Sequence, residues 1–421
     1  MRRSKDSGNR EGMGPFLLDY WRIAAQTTIL AATLFAVSGP AQAAELRFDG
    51  YGELRLIAPP ASDSYRDGGL GKLRLGADDT NLELGDIVGR LRAGEGAWSF
   101  EADGRLESDY GPALDLLEGF VTYAPPSNTR WAWSVRAGAF FPPLSLENEE
   151  IGWSSFWTVT PSAIDSWVGA ELRTVGAEGA LDWHSNGNDV TLKAAVFGWN
   201  DTAGVLIAER GWNFDDRVTG LFEKTRLPDA VAIASHRAPP LTLNLFSEID
   251  ARPGWYLDLS YELDGKTGFE VMRYDNEADP TRPRAWHTAF WDIGFRRQIG
   301  PVTLLSQAMA GSTIIRPSAT AFTATDFKSA YLLAGWDIDR WWLAARADIF
   351  QTRTRSAAPS ASPLSEDGYG FDATANYRLR DWLRLSGEYL TVNDRRAQRT
   401  LVGDPARAAE NQFQFVVRAY F

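Results

Sequence analysis

The segment Asn411–Phe421, with the sequence NQFQFVVRAYF, decides the fold because apolar and polar side chains alternate along it as far as the last residue. One face carries Phe413, Phe415, Val417, Ala419 and Phe421, and the other carries Gln414, Val416, Arg418 and Tyr420. Successive side chains of a β-strand point to opposite faces of its sheet. The segment is therefore predicted to form a strand with one apolar face and one mostly polar face.

The rest of the chain repeats this alternation, most often over the ~9–11 residues that a tilted strand needs to cross the hydrocarbon of a bilayer. The sixteen predicted strands are Leu46–Ile57, Leu82–Ala93, Ala97–Ser108, Asp115–Ala124, Trp131–Ala139, Glu171–Trp183, Val190–Trp199, Trp255–Leu263, Gly268–Tyr274, Trp286–Gln298, Val302–Thr313, Phe327–Asp337, Trp341–Thr352, Gly368–Leu379, Trp382–Thr391 and Asn411–Phe421. Three of them, Gly268–Tyr274, Val302–Thr313 and Phe327–Asp337, are ambiguous in phase, so fourteen or eighteen strands also fit.

The connections between these strands alternate in length. Those after even-numbered strands are short, as at Gly94–Gly96 and Arg380–Asp381, whereas those after odd-numbered strands are long, up to Asn200–Gly254. Barrels of the outer membrane have short periplasmic turns and long extracellular loops. The predicted fold class is therefore all-β, a transmembrane antiparallel β-barrel of about 16 strands.

Composition favours a barrel over a soluble domain. The chain has 17 Trp although its mean hydropathy is only −0.28, a combination that suits a polar lumen within aromatic girdles. An interfacial girdle beside the short turns is predicted from Trp98, Tyr123, Trp133, Trp183, Trp341 and Tyr377. Cysteine is absent from the sequence, so neither disulfides nor thiolate metal sites are available.

The N-terminal residues read as export information. Basic residues in Met1–Arg10 precede the mostly apolar run Ile23–Val37, and Ala41-Gln42-Ala43 has the small-x-small pattern of a signal-peptidase site. Residues 1–43 are predicted to be a signal peptide cleaved after Ala43, and residues 44–421 the barrel. Because Asp6 and Glu11 lie in the basic region, translation from Met13 is an alternative.

The faces opposite the apolar ones are heavily charged. Residues predicted to line the lumen wall include Arg47, Asp49, Glu53, Arg55, Glu101, Asp103, Arg346, Asp348, Arg378, Arg384 and Glu388. Burying such charges without water costs several kcal/mol each, and a sixteen-strand barrel is wide enough for an aqueous channel. The alternation therefore predicts a water-filled interior that conducts solutes.

The third loop, about residues 140–170, and the fourth, about 200–254, are expected to fold into the barrel mouth or lumen, because loops this long are usually functional. Basic residues on the wall at the root of the third loop are Arg90, Arg92, Arg105 and Arg136, and acidic residues on that loop are Glu147, Glu149, Glu150 and Asp165. Opposed rings of charge set ion selectivity, so these eight residues are the predicted pore constriction. The alternative is that they only solvate the wall and the loop surface.

The predicted layout is a charged sixteen-strand barrel whose third loop follows the segment Arg136-Ala-Gly-Ala-Phe-Phe-Pro-Pro143. This layout resembles that of Gram-negative porins, and it looks closest to the phosphate- and polyphosphate-selective porin-like family. The aromatic Phe421 resembles the signal by which the barrel-assembly machinery recognises such proteins. The resemblance implies a homotrimer in the outer membrane, in contact with its lipid, and a pore narrowed by an inward loop. The five lysines after residue 43 do not match the lysine clusters of that family, so phosphate selectivity is not carried over.

The predicted function is passive diffusion of small hydrophilic solutes and ions. The alternatives are a specific channel for a sugar, anion or aromatic solute, and a plugged structural barrel. The three histidines, His184, His236 and His287, fall on different sides of the predicted barrel, so we expect no catalytic residue, metal or cofactor and no enzyme activity. A formal charge of −12 also argues against nucleic-acid binding.

Overall fold

The computed structural model describes residues 45–76, 82–107, 114–357 and 364–421; the predicted signal peptide lies outside them. Sixteen antiparallel strands close into one barrel in which consecutive strands pair and the first strand pairs with the last. The predicted fold class and the strand count of sixteen are confirmed.

The barrel strands are β1 (Glu45–Ala58), β2 (Leu82–Glu95), β3 (Trp98–Leu106), β4 (Leu114–Tyr123), β5 (Trp131–Phe140), β6 (Thr174–Ser185), β7 (Asn188–Gly198), β8 (Gly254–Leu263), β9 (Thr267–Asp275), β10 (His287–Ile299), β11 (Val302–Ser318), β12 (Ala321–Ile338), β13 (Trp341–Ser356), β14 (Glu366–Arg380), β15 (Leu383–Arg396) and β16 (Arg407–Tyr420). The loops contain α1 (Ala163–Glu171), α2 (Val205–Glu209) and α3 (Asp229–Ala234), and the two short strands Lys224–Arg226 and Thr242–Asn244.

The closing strand has the face assignment that its sequence predicts. Phe413 and Phe415 are 51% and 39% exposed on the outer surface, whereas Gln414 and Arg418 are 1% and 4% exposed on the inner side. The register from Tyr51↔Tyr420 to Ala58↔Phe413 joins β1 to β16. This pairing closes the barrel, so neither β1 nor β16 is left as an edge strand.

The outer surface is apolar, with aromatic residues beside the short turns. Leucine, isoleucine, valine and phenylalanine side chains are exposed along the outer faces of the strands, for example Leu84, Val196, Ile293, Leu332 and Ile349. Near the turns the rings of Trp98 and Tyr123 lie 4.7 Å apart, as do those of Trp341 and Tyr377. An apolar belt bounded by aromatic rings is the surface that a bilayer requires.

None of the helices within the described residues has the length and hydropathy needed to cross a membrane.

Many strand ends differ from the prediction by a few residues, and two of the differences change what the segment forms. A strand was expected from Glu171, but α1 occupies Ala163–Glu171 and β6 begins at Thr174, because the hydroxyl of Ser162 caps the helix by accepting the N–H of Asp165 at 3.2 Å. The long loop expected after Thr313 is a tight hairpin, since β11 and β12 extend to Ser318 and Ala321 and pair almost to their tips.

Inside the barrel, apolar side chains of the loops pack against the inner wall, in addition to the charged lining that the sequence predicts. From the loops, Trp167, Trp212 and Phe214 pack against wall residues that include Phe290 and Phe327 in one continuous buried cluster. The Trp167 ring lies 5.6 Å from Phe290 and 5.2 Å from Phe327. The alternation along the strands did not predict this packing. An aromatic residue on an inward face has the same sequence pattern whether it faces water or a loop.

Buried ion pairs hold the loops inside the barrel. Glu366 on β14 accepts hydrogen bonds from Lys72 Nζ at 2.5 Å, Arg396 Nη1 at 2.9 Å and the Trp212 backbone N–H at 2.6 Å. Lys72 Nζ also donates to the Trp212 carbonyl at 2.9 Å. Since removing one partner of a buried pair costs ~3–5 kcal/mol, the first and fourth loops are fastened to the wall.

Candidate functional site

A cavity of about 470 Å³ lies where the third loop leaves the barrel wall, between that loop and strands β2 and β4–β7. We call it the loop-3 cavity. Its acidic lining residues are Glu118, Glu149, Glu150, Glu178 and Asp182, and its basic ones are Arg90, Arg136 and Lys193. Phe120, Phe141 and Trp153 contribute aromatic surface. The size lies within the range of about 300–1,000 Å³ that is typical of small-molecule sites.

Arg90 is neutralised by carboxylates of its own wall. Its Nε and Nη2 donate to the two oxygens of Asp103, both at 2.7 Å. Glu101 lies 3.4 Å and Glu118 3.6 Å from the same guanidinium. The third loop joins this group through the Gly152 N–H, which donates to Asp103 Oδ2 at 2.9 Å.

Arg136 is also paired on the wall, and aromatic rings flank it. Its Nε lies 2.8 Å from Glu178 Oε1, and the hydroxyl of Tyr256 donates to the same carboxylate. The guanidinium carbon stands 4.0 Å from the Phe140 ring centroid and 5.4 Å from that of Phe120. The rings hold the guanidinium in place by cation–π contact.

The other two predicted constriction arginines do not line the cavity. Arg92 is 41% exposed and lies 2.5 Å from Asp49. Arg105 is buried, donates to the Val218 carbonyl and lies 3.0 Å from Glu223, so it fastens the fourth loop.

The acidic residues of the third loop face other arginines than predicted, on the opposite wall. Glu147 Oε2 lies 3.3 Å from Arg346 on β13. Glu149 is 3.7 Å from Arg296 on β10, and Glu150 is 3.8 Å from Arg384 on β15 and 3.7 Å from Arg418 on β16. The predicted pairing of these carboxylates with Arg90, Arg92, Arg105 and Arg136 is therefore corrected, because the loop crosses the lumen before its carboxylates reach a partner.

Asp165, the fourth predicted loop carboxylate, lies on the fully buried helix α1. Its partners are the hydroxyl of Ser162, 3.3 Å from Oδ2, and the neighbouring Glu147, which accepts the Ser162 N–H at 2.6 Å. Burial, together with the charge of Glu147, raises the pKa of Asp165 well above its ordinary value. Asp165 stabilises the loop from within and does not face open lumen.

The predicted lumen-wall residues divide into inner and rim positions. Glu53, Arg55, Arg346, Asp348, Arg384 and Glu388 are buried inside the barrel, whereas Arg47 and Arg378 are exposed and lie toward the short-turn end. Asp49 pairs with Arg47 at 3.0 Å. Arg55 Nε donates to Glu53 at 2.8 Å, and Glu388 accepts the backbone N–H groups of Val159 and Thr160 in the third loop, both at 2.7 Å.

A row of arginines crosses β14–β16 at one level, because the register places Arg378 opposite Arg384 and Arg384 opposite Arg418. Like charges directly opposite each other on neighbouring strands are destabilising. Glu53 lies 2.5 Å from Arg418 Nε, and the Glu150 carboxylate approaches Arg384 and Arg418 from the third loop. These carboxylates offset the repulsion between the arginines of the row.

Sequence reasoning missed Glu118, Glu178, Asp182 and Lys193 as cavity residues. Alternation on β6 and β7 places the last three inward, so a face assignment extended to those strands would have found them. Glu118 has a weaker signal, because a register shift beside Asp103 breaks the pairing of β3 with β4.

Two carboxylate triads of the described residues bring their oxygens within 4.8 Å of one another, which is close enough to share a cation. In the triad of Glu101, Asp103 and Glu118 the Arg90 guanidinium already supplies the positive charge. In the triad of Asp201, Glu248 and Asp250 the oxygens accept backbone N–H groups, for example from Ile249 at 2.5 Å and Trp199 at 2.9 Å. Both triads are explained by contacts within the protein.

No protein-family model and no curated protein sequence matches the chain. Among solved structures it is similar to an anion-selective porin from Comamonas acidovorans, with a TM-score of 0.53 and 11% identity over 90% of this chain and 100% of that chain. The outer membrane channel DcaP of Acinetobacter baumannii gives a TM-score of 0.53 and 10% identity over 91% of this chain and 99% of that chain. The chain has the porin fold. OmpT, an outer membrane protein of Vibrio cholerae, is similar over 91% of this chain and 99% of that chain, with a TM-score of 0.50 and 9% identity.

Proposed function

We propose that this protein is an outer-membrane porin that admits small hydrophilic solutes and ions by passive diffusion. The observation that carries the proposal is a closed sixteen-strand barrel with an apolar exterior whose inner wall still presents a charged cavity of about 470 Å³. Because side chains of the third and fourth loops pack against the inner wall, we expect a lower conductance than that of an open barrel of this size.

The apolar core inside the lumen favours a second candidate, a plugged barrel that serves the envelope structurally. Trp167, Trp212 and Phe327 belong to one buried apolar cluster that joins the loops to the wall. The two candidates differ in whether ions pass around this cluster. The charged cavity also supports the narrower version of the first candidate, a channel that binds its solute.

Planar-bilayer recording of the purified protein separates these candidates. A reproducible ohmic conductance supports the porin, and its reduction by an added solute supports a binding channel. Silent membranes, combined with a fully folded protein shown by heat-modifiable migration in gels, would contradict the proposal and favour the plugged barrel.

Three properties implied by the resemblance to porins are also proposed for this protein. Removal of residues 1–43 on export, assembly as a homotrimer and recognition of Phe421 by the barrel-assembly machinery remain proposals that the porin fold supports. Phe421 stays available at the periplasmic rim, where its ring lies 5.6 Å from that of Phe48 and is 59% exposed. Phosphate selectivity is not proposed, because five carboxylates against three basic groups line the cavity.

A further inference from the structure

We infer that a patch of basic residues on the outer face of the barrel binds the phosphorylated head group of an outer-leaflet lipid. This exterior basic patch lies on strands β12, β13, β15 and β16, and its members are Lys328, Arg353, Arg355, Arg395 and Arg407. The inference goes beyond the proposed function, because it concerns the surface that meets the membrane and not the lumen.

The strand register brings the patch together. Lys328 is directly opposite Gln351, and Gln351 is directly opposite Asp367. The same row continues from Asp367 to Arg395 and from Arg395 to Arg407. Arg395 is exposed whereas the residues on either side of it are buried, so the row lies on the outer face of the sheet.

The protein neutralises only part of the charge in this patch. Arg353 lies 3.8 Å from Asp367, and Arg355 lies 3.1 Å from Asp326. Within the part of the chain that the structure describes, the other three members have neither an ion pair nor a side-chain hydrogen bond. The patch therefore carries net positive charge on a chain whose formal charge is −12.

Two of the unpaired members face each other directly. Arg395 and Arg407 are opposite in the register of β15 and β16, and like charges in this position are destabilising. Asp404, three positions before Arg407, pairs with neither of them among the described contacts. An anion between the two guanidinium groups would remove the repulsion, and guanidinium groups bind phosphate oxygens in a bidentate manner.

The level of the patch favours a lipid as the source of this phosphate. Tyr377 lies beside a short turn, and Tyr369 lies roughly 26 Å further along the same strand, on the same outer face. Aromatic residues flank the apolar band of a membrane barrel at both interfaces, so the patch, which begins beyond Tyr369, lies at the depth of the head groups. The exposed side chains of Leu332, Ile349 and Phe371 lie between the patch and the short turns and can contact acyl chains, a surface that free phosphate would not use.

Native mass spectrometry of delipidated protein, purified from the outer membrane in detergent, tests this directly. The probe is lipid A, an acylated glucosamine disaccharide that carries phosphate groups, and the comparisons are phosphatidylethanolamine and inorganic phosphate. We expect saturable binding of lipid A that is at least roughly tenfold tighter than that of either comparison. Equal binding of phosphatidylethanolamine, equal binding of inorganic phosphate, or no binding of lipid A would overturn the inference.

A double variant locates the site. Arg395→Gln combined with Arg407→Gln should weaken lipid A binding about twentyfold, because each basic residue near an anionic lipid surface contributes about fivefold. Arg340→Gln combined with Arg380→Gln is the matched control, since it removes the same charge from exposed positions at the short-turn end and should leave the affinity unchanged. Equal weakening in the two double variants would indicate diffuse attraction to the whole barrel and would reject the patch as a site.

Asp367→Asn separates the site from general damage to the fold. It removes the carboxylate that lies between Gln351 and Arg395 in the row, and it frees Arg353 from its ion pair. Lipid A should therefore bind several-fold more tightly to this variant. An unchanged or weaker affinity in a barrel that heat-modifiable migration shows to be folded contradicts the site.

Lipid binding does not require conduction, so its result is separate from that of the bilayer recording. Lipid A binding with silent membranes would retain the lipid site and reject the porin. Ohmic conductance without preference for lipid A would retain the porin and reject the lipid site.

Discussion

At the scale of single residues, Arg346 shows how the wall holds the third loop. From β13 it reaches Asp348 at 2.9 Å, Glu147 at 3.3 Å and the carbonyls of Thr160 and Pro161 at 2.8 and 3.0 Å. With the Thr158 hydroxyl at 3.1 Å, five acceptors around one buried guanidinium fix both the approach of the loop and the start of helix α1.

We predict that Arg346→Met lowers the free energy of unfolding by about 3–5 kcal/mol, because Glu147 and Asp348 would remain buried without their cation. Denaturant unfolding of the detergent-solubilised barrel measures this loss of free energy. Arg355→Met is the control, since Arg355 is 70% exposed and pairs with an exposed carboxylate at 3.1 Å, so it should cost no more than about 1 kcal/mol. Equal losses in the two variants would contradict the anchoring role.

Glu150 is the loop carboxylate that faces the arginine row, and its neutralisation tests ion selectivity. It is half-buried and lies 3.7–3.8 Å from Arg418 and Arg384. Glu150→Gln leaves these guanidinium groups less compensated, so the reversal potential in a salt gradient should shift toward anions. Asp367→Asn, at an exposed position on β14, should leave the potential unchanged. Unaltered selectivity in Glu150→Gln would remove Glu150 from the constriction.

At the scale of elements, helix α1 is joined to the fourth loop by one carboxylate. Glu171 at the end of α1 accepts the Leu206 backbone N–H at 2.9 Å and the Trp167 indole N–H at 2.5 Å. Burial raises the pKa of Glu171 to about 7. Ionisation of this carboxylate therefore opposes the docking of the two loops.

The expected pH dependence follows from the sign of that shift. Between the ordinary pKa near 4.5 and about 7, the docked state binds a proton that the undocked state does not. The free energy of docking should therefore be most favourable at low pH and weaken as pH rises through this window. Protease cleavage in the fourth loop should increase from pH 5 to pH 8 in the native protein. Glu171→Gln should weaken this pH dependence without abolishing it, because burial also raises the pKa of Glu209 on the same loop to about 7. Equal pH dependence in the native protein and in the Glu171→Gln variant would show that Glu171 does not control the docking of the loops.

The strands could be predicted from sequence, whereas the loop elements could not, and the reason is physical. The membrane strand β16 presents one face to lipid and the other to the lumen, so its apolar and polar residues alternate. Phe413 and Phe415 lie on the lipid face, and Arg418 lies on the lumen face. Helix α1 is buried all around, with every residue from Ala163 to Glu171 covered, so no apolar stripe distinguishes it. Only the cap at Ser162 signals its start.

Several residues of the candidate site were predicted from the sequence, but their ion-pair partners were not. Arg90, Arg136, Glu149 and Glu150 do line one cavity. Which carboxylate meets which arginine depends on how far the third loop extends across the lumen, and alternation along strands holds no information about that distance. Contacts such as Glu147 with Arg346, 199 residues apart, become visible only in three dimensions.

At the scale of the whole molecule, barrel closure and lumen filling are separate properties. The wall is specified by consecutive strand pairing and by the β1–β16 register, neither of which involves the third or fourth loop. The filling depends on loop residues such as Trp212, whose indole packs against Trp167 and Phe327. Removal of part of the filling should therefore leave the wall intact.

This separation gives a conductance prediction. Replacement of residues 202–218, which include Trp212 and Phe214, by a glycine–serine linker should raise single-channel conductance by at least roughly twofold, because it vacates lumen that the apolar cluster now occupies. Replacement of residues 233–241, a mostly exposed part of the same loop, by the same kind of linker is the control and should leave conductance unchanged. Heat-modifiable migration reports whether each barrel has closed. A closed barrel of native conductance after the first replacement would mean that ions bypass the fourth loop altogether, and the route would then have to run along the loop-3 cavity.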